Sequence, residues 1–185
     1  MGEHYIDDPH ESLWKEHIVN LELFPAPYVN PKAIAVIKAA DLLVLGPGDL
    51  YTSLLPNIVV AGIKEAIVKS RAKKVFVMNL MTRFGQTVGF KAKNFISELE
   101  KYLGKEVMDY CLINKTDFPK NVIDWYSQVD TGPVEDNIVD SGKLKIIRRD
   151  LVSKHFYQKL ESDKLTRSVV RHDPDKLAKA VTSLI

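Results

Sequence analysis

A chain of 185 residues that is 45% hydrophobic is long and apolar enough to bury a full core, which excludes a disordered or fibrous polymer and fits one domain over residues 1–185. Lys plus Arg at 26 against Asp plus Glu at 24 leave a formal charge of +2, too balanced for a dedicated binder of DNA or RNA.

The opening MGEHYIDDPHE is acidic and polar, without the apolar core of a signal peptide, and Ile6 stands where N-myristoylation requires Ser or Thr. Nowhere does an apolar run approach the roughly 18 residues of a membrane-crossing helix. The expectation is a cytoplasmic protein with no membrane partner. From Ile18 to Phe24 apolar and polar residues alternate with the period of a strand. Asn30 and Pro31 then open a helix as N-cap and first-turn proline, with Ala33, Ile34, Ile37 and Ala40 on its apolar face. Leu42 to Leu45 is uninterrupted apolar, as in a parallel strand covered on both faces. The next helix is predicted from Pro56 to Ser70, with Val59, Ile63, Ala66 and Ile67 inward and Lys64, Glu65 and Lys69 in water. The cations between Lys69 and Lys74 read as a solvated helix end.

Lys74 leads into VFVMNL, a second buried strand, and Phe95, Ile96, Leu99 and Leu103 mark a helix that stops at Gly104, a residue suited to the left-handed C-terminal position. DYCLIN is a third strand. Its Cys111 is the single cysteine, so no intramolecular disulfide forms, and its apolar neighbours mark it as a small buried hydrophobe rather than a nucleophile. NVIDWYSQ reads as a short helix, and NIVD and LKIIRRDLV as less regular pieces. A last helix runs from Pro174 to Leu184, capped by Asp173, with Leu177, Ala178 and Val181 inward. Strands separated by helices of about 10–15 residues imply right-handed crossovers and a doubly wound α/β fold with a mostly parallel sheet.

In such sheets ligands bind beyond the carboxyl ends of the strands. Three polar loops sit there: GPGDLYTS after Leu45, NLMTRFGQT after Met78 and NKTD after Ile113. Gly46 and Gly48 free the backbone, Pro47 stiffens the turn, and the following helix start offers amide donors beside the hydroxyls of Thr52 and Ser53. A phosphate or diphosphate satisfies these together. The plain alternative is a turn in which Asp49 or Ser53 caps its own helix, since the pattern is neither G-x-G-x-x-G nor a P-loop. Asp49 repels a bare phosphate, so it must point away, accept from sugar hydroxyls or hold Mg²⁺. In the second loop Asn79, Thr82, Gln86 and Thr87 are neutral groups suited to a base edge or sugar, and Arg83 to bidentate phosphate contact. Its alternative is an ordinary hydrophilic loop turning at Gly85 and Gly89.

The histidines form no metal constellation: His4, His10 and His17 lie in a polar N-terminal segment, and His155 has no partner at ligand spacing. For His172 with Asp173, a catalytic or ligand pair is weighed against a helix-capping turn, and the turn is preferred. No nucleophile–base triad or G-x-S-x-G elbow is present.

The stretches Ala40–Ile67 and Lys73–Phe90, with YLG, DYCLIN and the closing RHDPDKLAKAV, resemble together the CofD-like superfamily, and within it the gluconeogenesis-factor (YvcK) branch, over the C-terminal half of the family fold. The resemblance implies a Rossmann-like fold and a regulatory protein of central carbon metabolism, cell shape and cell-envelope homeostasis that binds a nucleotide sugar such as UDP-N-acetylglucosamine. The CofD branch implies instead a 2-phospho-L-lactate transferase using a guanosine donor and Mg²⁺. Either way the implied ligand contacts are Gly46, Pro47, Gly48, Asp49, Leu50, Tyr51, Thr52, Ser53 and Asn57, with Asn79, Met81, Thr82, Arg83, Gly85, Gln86 and Thr87 lining the same cleft. Asp49 is the candidate Mg²⁺ contact, and no catalytic residue can be named.

Three departures accompany the resemblance. Asp49 replaces a Ser of the family pattern, Gln86 replaces a Glu, and the Gly-Gly-Gly-Thr-Gly strand–loop does not occur in these residues. Without that strand an edge of the parallel sheet is expected to lie open, a liability that proteins cover or pair. The expected partner is therefore a second copy of the chain or a separate N-terminal half.

Overall fold

A computed structural model describes residues 5–6, 9–10, 13, 16–154 and 169–184. His4, His155 and the first four residues lie outside the described part. Four strands, β1 (Leu42–Leu45), β2 (Lys73–Val77), β3 (Tyr110–Asn114) and β4 (Lys145–Arg149), form one sheet in the order β1-β2-β3-β4. All three pairings are parallel. The strands read as continuous apolar runs because alternate residues feed two cores. Leu43, Leu45, Phe76, Met78, Cys111, Ile113 and Ile146 belong to the larger cluster, and Leu42, Val75, Val77, Tyr110, Leu112 and Ile147 to the smaller.

The larger core is roofed by the chain between β1 and β2 and by α4 (Ala92–Leu103), whose Phe95, Ile96, Leu99 and Leu103 are buried at helical spacing. The smaller is closed by α6 (Pro174–Thr182) through Leu177, Ala180 and Val181. Helices thus flank both faces of a parallel sheet, the Rossmann-like α/β class. A third cluster caps the carboxyl end of the sheet, where α5 (Lys120–Ser127) sets Val122 and Tyr126 against Leu80, Met81, Val152 and Val170.

The helix starts follow local chemistry. Asn30 accepts from the Lys32 amide at 2.9 Å to cap α1 (Pro31–Ala39), and Asp173 accepts from the amides of Asp175 and Lys176 at 3.0 Å to cap α6. Cys111 is fully buried, and burial pushes its thiol up to about 12.

Several expectations are corrected. Ile18–Phe24 forms no strand. Ile18 and Leu21 pack on the larger core, and side chains meet this backbone: Leu21 N donates to Tyr102 Oη at 2.9 Å, Tyr51 Oη to the Ile18 carbonyl at 3.4 Å, and Lys101 Nζ to the Val19 carbonyl. Alternation reported one buried side, not a neighbouring strand. The helix expected over Pro56–Ser70 starts earlier, as a π-helical turn at Leu50–Leu54 running into α2 (Leu55–Ile58), and then breaks. Gly62 takes φ +93°, and α3 (Ile63–Lys69) leaves at 77° to the preceding helix. Only glycine adopts that backbone cheaply.

Lys74 departs from the solvated reading of its cluster. It is buried, its Nζ donates to the carbonyls of Ser70 at 2.8 Å and Ala72 at 3.0 Å, and burial lowers its pKa. Lys69, Arg71 and Lys73 are exposed as expected. Gly104 ends α4 at φ +100° and ψ 159°, outside the left-handed helical region. NIVD forms no strand, though Ile138 is buried. Among the described residues no single helix is long and apolar enough to cross a membrane. The one bent pair that passes by composition, Leu50–Ile58 with Ile63–Lys69, contributes buried side chains to the core.

Candidate functional site

The first loop is pinned where β1 ends. Gly46 has φ +85°, and a Cβ there would stand 3.0 Å from the Val77 carbonyl oxygen of β2. Both conditions select glycine. Pro47, Gly48 and Asp49 then turn into the π-helical segment, where the Asp49 carbonyl accepts from Ser53 N at 2.9 Å and Leu54 N at 3.0 Å. The Asp49 side chain caps nothing. It faces Arg83 of the second loop, 3.7 Å from Nε.

The amide donors expected between residues 46 and 53 are partly spent. Ser53 N bonds to Asp49, and Tyr51 N donates to Gln86 Oε1 at 3.3 Å. The amides of Gly48, Leu50 and Thr52 meet no acceptor among the described residues. Leu50 and Tyr51 are core residues at 1% exposure. Burial, with Glu98 nearby, raises the Tyr51 hydroxyl well above its ordinary pKa, so it stays protonated.

The second loop divides in two. Asn79, Leu80, Met81, Thr82 and Arg83 face the first loop, and Asn79 Nδ2 donates to the Gly48 carbonyl at 2.9 Å, tying the loops together. From Arg83 onward the chain folds on itself. Thr87 N donates to the Arg83 carbonyl and Arg83 N to Thr87 Oγ1, both at 2.8 Å. Gln86 is buried and braces the first loop, donating also to Thr52 Oγ1 at 3.3 Å. Gly85 packs against Ile6 and Pro9. Gly85, Gln86 and Thr87 therefore lie behind the cleft.

The cleft itself is a cavity of about 400 Å³ beyond the ends of β1 and β2, lined by Pro47, Gly48, Asp49, Asn79, Leu80, Met81, Thr82, Arg83, Val170, Arg171, His172, Pro174 and Leu177. Of the expected contacts, Gly46, Ser53 and Asn57 line instead a neighbouring groove of about 650 Å³ along β1, which Pro47 and Gly48 also border. The third loop stays out: Asn114 accepts from Leu151 N at 3.1 Å and donates to the Thr116 carbonyl at 2.7 Å.

His172 is the residue whose sequence reading, a capping turn preferred over a site pair, put it in the wrong place. Asp173 performs the capping alone, while His172, bridged to Val152, lines the cavity. Burial pulls its imidazole down to about 4, opposed by a contact with the Met78 carbonyl, so it is neutral near pH 7. Its Nε2 and Asn79 Oδ1 are the buried side-chain nitrogen and oxygen atoms left without a hydrogen-bond partner among the described residues. His172 lies far from Asn79 in the chain, and no local pattern joins them. Of the other described histidines, neither His10 nor His17 lines the cavity; His17 packs its ring 5.3 Å from that of Phe90.

Asp49 is the carboxylate among the cleft's lining residues, and a Mg²⁺ there would take its remaining ligands from phosphate oxygens and water. Asp49 also faces an arginine, and no three His, Cys, Asp or Glu side chains gather among the described residues.

The family described as 2-phospho-L-lactate transferase CofD matches residues 1–155. Over 157 residues the chain is 34% identical to the gluconeogenesis factor of Bacillus subtilis, covering 84% of this chain and 46% of that protein. The gluconeogenesis factor of Listeria innocua is 35% identical over 155 residues, with 84% and 44% covered. A UPF0052-family protein of Bacillus halodurans, known from a crystal structure, superposes with a TM-score of 0.75 at 31% identity over 92% of this chain and 53% of that one. The chain spans about half the length of these relatives.

Proposed function

This chain belongs to the CofD family, and we propose that it is a regulatory protein of the gluconeogenesis-factor type that holds a nucleotide sugar, UDP-N-acetylglucosamine or a close analogue, in the cleft beyond β1 and β2. Its proposed setting is central carbon metabolism and cell-envelope homeostasis. One observation carries the binding reading: two loops distant in sequence converge on a single cavity and are tied by the Asn79–Gly48 bond. Arg83 and the free amide of Gly48 supply donors for a diphosphate, and neutral Asn79 suits a sugar or base, whereas Thr82 spends its hydroxyl on Gly132, donating to its carbonyl at 3.3 Å and accepting from its amide at 3.0 Å. With Tyr51 N and Ser53 N spent, the phosphate contacts fall to Gly48 and Arg83 rather than to a full helix-start cradle.

The family description favours a second reading, phospholactyl transfer from a guanosine donor. Asp49 beside Arg83 gives it weak support, and we derive no step through a metal. Calorimetry with UDP-N-acetylglucosamine, UDP, GDP and NAD, with and without Mg²⁺, separates the two. Metal-independent binding of the uridine sugar supports the regulator, metal-dependent binding of GDP supports the transferase, and silence from all four refutes the site.

Gly48→Val tests the same cleft. A β-branched side chain there would press on Ser53 Cβ, which an added Cβ already meets at 3.3 Å, and would crowd the cavity. We expect binding to be lost with the far-ultraviolet circular dichroism unchanged; full affinity in this variant would refute the assignment. We further propose that the open side of β1 is covered by a partner, a second copy of this chain or a separate chain carrying the rest of the fold that the longer relatives contain.

A further inference from the structure

Two atoms in the wall of the cleft, Asn79 Oδ1 and His172 Nε2, are buried and unpartnered among the described residues. Native folds seldom leave such groups unsatisfied, and two in one cavity wall point to a ligand group that completes them. Both are acceptors. Asn79 has turned its amide hydrogens to the Gly48 carbonyl, leaving its oxygen unused. The ring is neutral near pH 7, and with its proton on Nδ1 the orphaned Nε2 keeps a lone pair.

The incoming group must therefore donate twice. An ammonium is disfavoured, because Arg83 and Arg171 outweigh the single carboxylate of Asp49 in the cavity lining. Neighbouring hydroxyls on a sugar ring match two neutral acceptors without adding charge. We propose that Asn79 Oδ1 and His172 Nε2 accept hydrogen bonds from vicinal hydroxyls of the ligand's sugar, which makes His172 a specificity-determining residue of the cleft. This rests on the nucleotide-sugar reading and adds to it the residue pair and the ligand feature it recognises. Both atoms lie beneath the cavity surface, so engaging them takes a side-chain rotation.

Calorimetry on the full chain tests it with three probes. UDP against 2′,3′-dideoxy-UDP isolates the ribose hydroxyls, and UDP-N-acetylglucosamine against UDP isolates the hexose. In the unaltered chain one of these pairs should differ roughly tenfold, the scale of one lost neutral hydrogen bond. His172→Phe keeps a planar ring but removes the acceptor, and it should abolish that preference. His172→Gln, whose amide oxygen reaches near the Nε2 position, should restore part of it. The melting temperature of His172→Phe should change little, because removing the buried orphan offsets the lost contact with the Met78 carbonyl, a split that a merely structural role would not give. If the unaltered chain binds and His172→Phe retains both preferences, the inference falls while the nucleotide-sugar reading stands. If the unaltered chain binds none of the probes, both fall together.

Discussion

The two edges of the sheet are made from opposite materials. β4 carries Lys145, Arg148 and Arg149 among its five residues. Arg148 forks onto Asp136 at 2.6 and 3.0 Å and reaches the Ile138 carbonyl at 2.7 Å, while Lys145 pairs with Asp140 at 3.4 Å. β1 is Leu-Leu-Val-Leu, its Val44 is 44% exposed, and the groove of about 650 Å³ beside it is lined by Tyr28, Ile37, Leu43 and Leu45 among others. Native sheets protect a free edge with charge or with cover. β4 has charge and β1 has neither, so β1 has the composition of an interior strand while standing at the end of the described sheet.

The largest effect should come from charging that edge. At micromolar concentration the chain is expected to self-associate through β1 when no other chain covers it, and size exclusion with light scattering should report a dimer or larger species. Val44→Lys should shift the dissociation constant by about two orders of magnitude toward monomer, since a lysine in a dry strand pairing is among the commonest natural blocks to edge association. A clean monomer for the unaltered chain would remove the grounds for a covering partner.

A smaller effect should follow from stripping β4. Arg148→Ala removes a bidentate carboxylate contact and a backbone bond at an exposed site, and a loss of about 1 kcal/mol in urea unfolding is expected. The oligomeric state should not change, because Lys145 and Arg149 remain. Unaltered stability would mean that the fork contributes nothing at this edge beyond its charge.

Local periodicity made three of the four strands legible, while β4 lies inside LKIIRRDLV, whose pattern marked only a less regular piece. Leu42–Leu45, the strand after Lys73 and the Phe95–Leu103 face all appear where their patterns put them, and Asn30 and Asp173 cap as their chemistry requires. Direction was not legible. The apolar period runs on through Val59–Gly62 because both halves bury against the same core, so it could not register a 77° bend. Nor could the polar loops say which way they face: Asn79 and Arg83 look into the cleft, Gln86 and Thr87 away from it, and Tyr51 lies under Ile18. His172 enters the cleft only because its segment bridges to Val152, a tertiary event that the sequence near it does not encode.

The smallest effect separates the edges by pH. The Asp140 carboxylate, which accepts from Ile146 N at 2.9 Å and lies near Lys145, is held below its ordinary range, as is Asp150, which takes Lys176 Nζ at 2.7 Å. A carboxylate with a depressed native pKa stabilises the fold above its unfolded value near ~4, and that contribution is lost as pH falls through the native value. β1 has no carboxylate to lose. Between about pH 6 and pH 3 the hydrogen-exchange protection of Ile146 should therefore fall severalfold, beyond any change at Val75 in the β1–β2 ladder. His172 also becomes charged across this window, so the control is Asp140→Asn, in which Ile146 protection should start lower and respond less to acid. Equal sensitivity of Ile146 and Val75, unchanged by Asp140→Asn, would show that acid acts on the whole fold and that the charged edge holds β4 no differently from the apolar edge of β1.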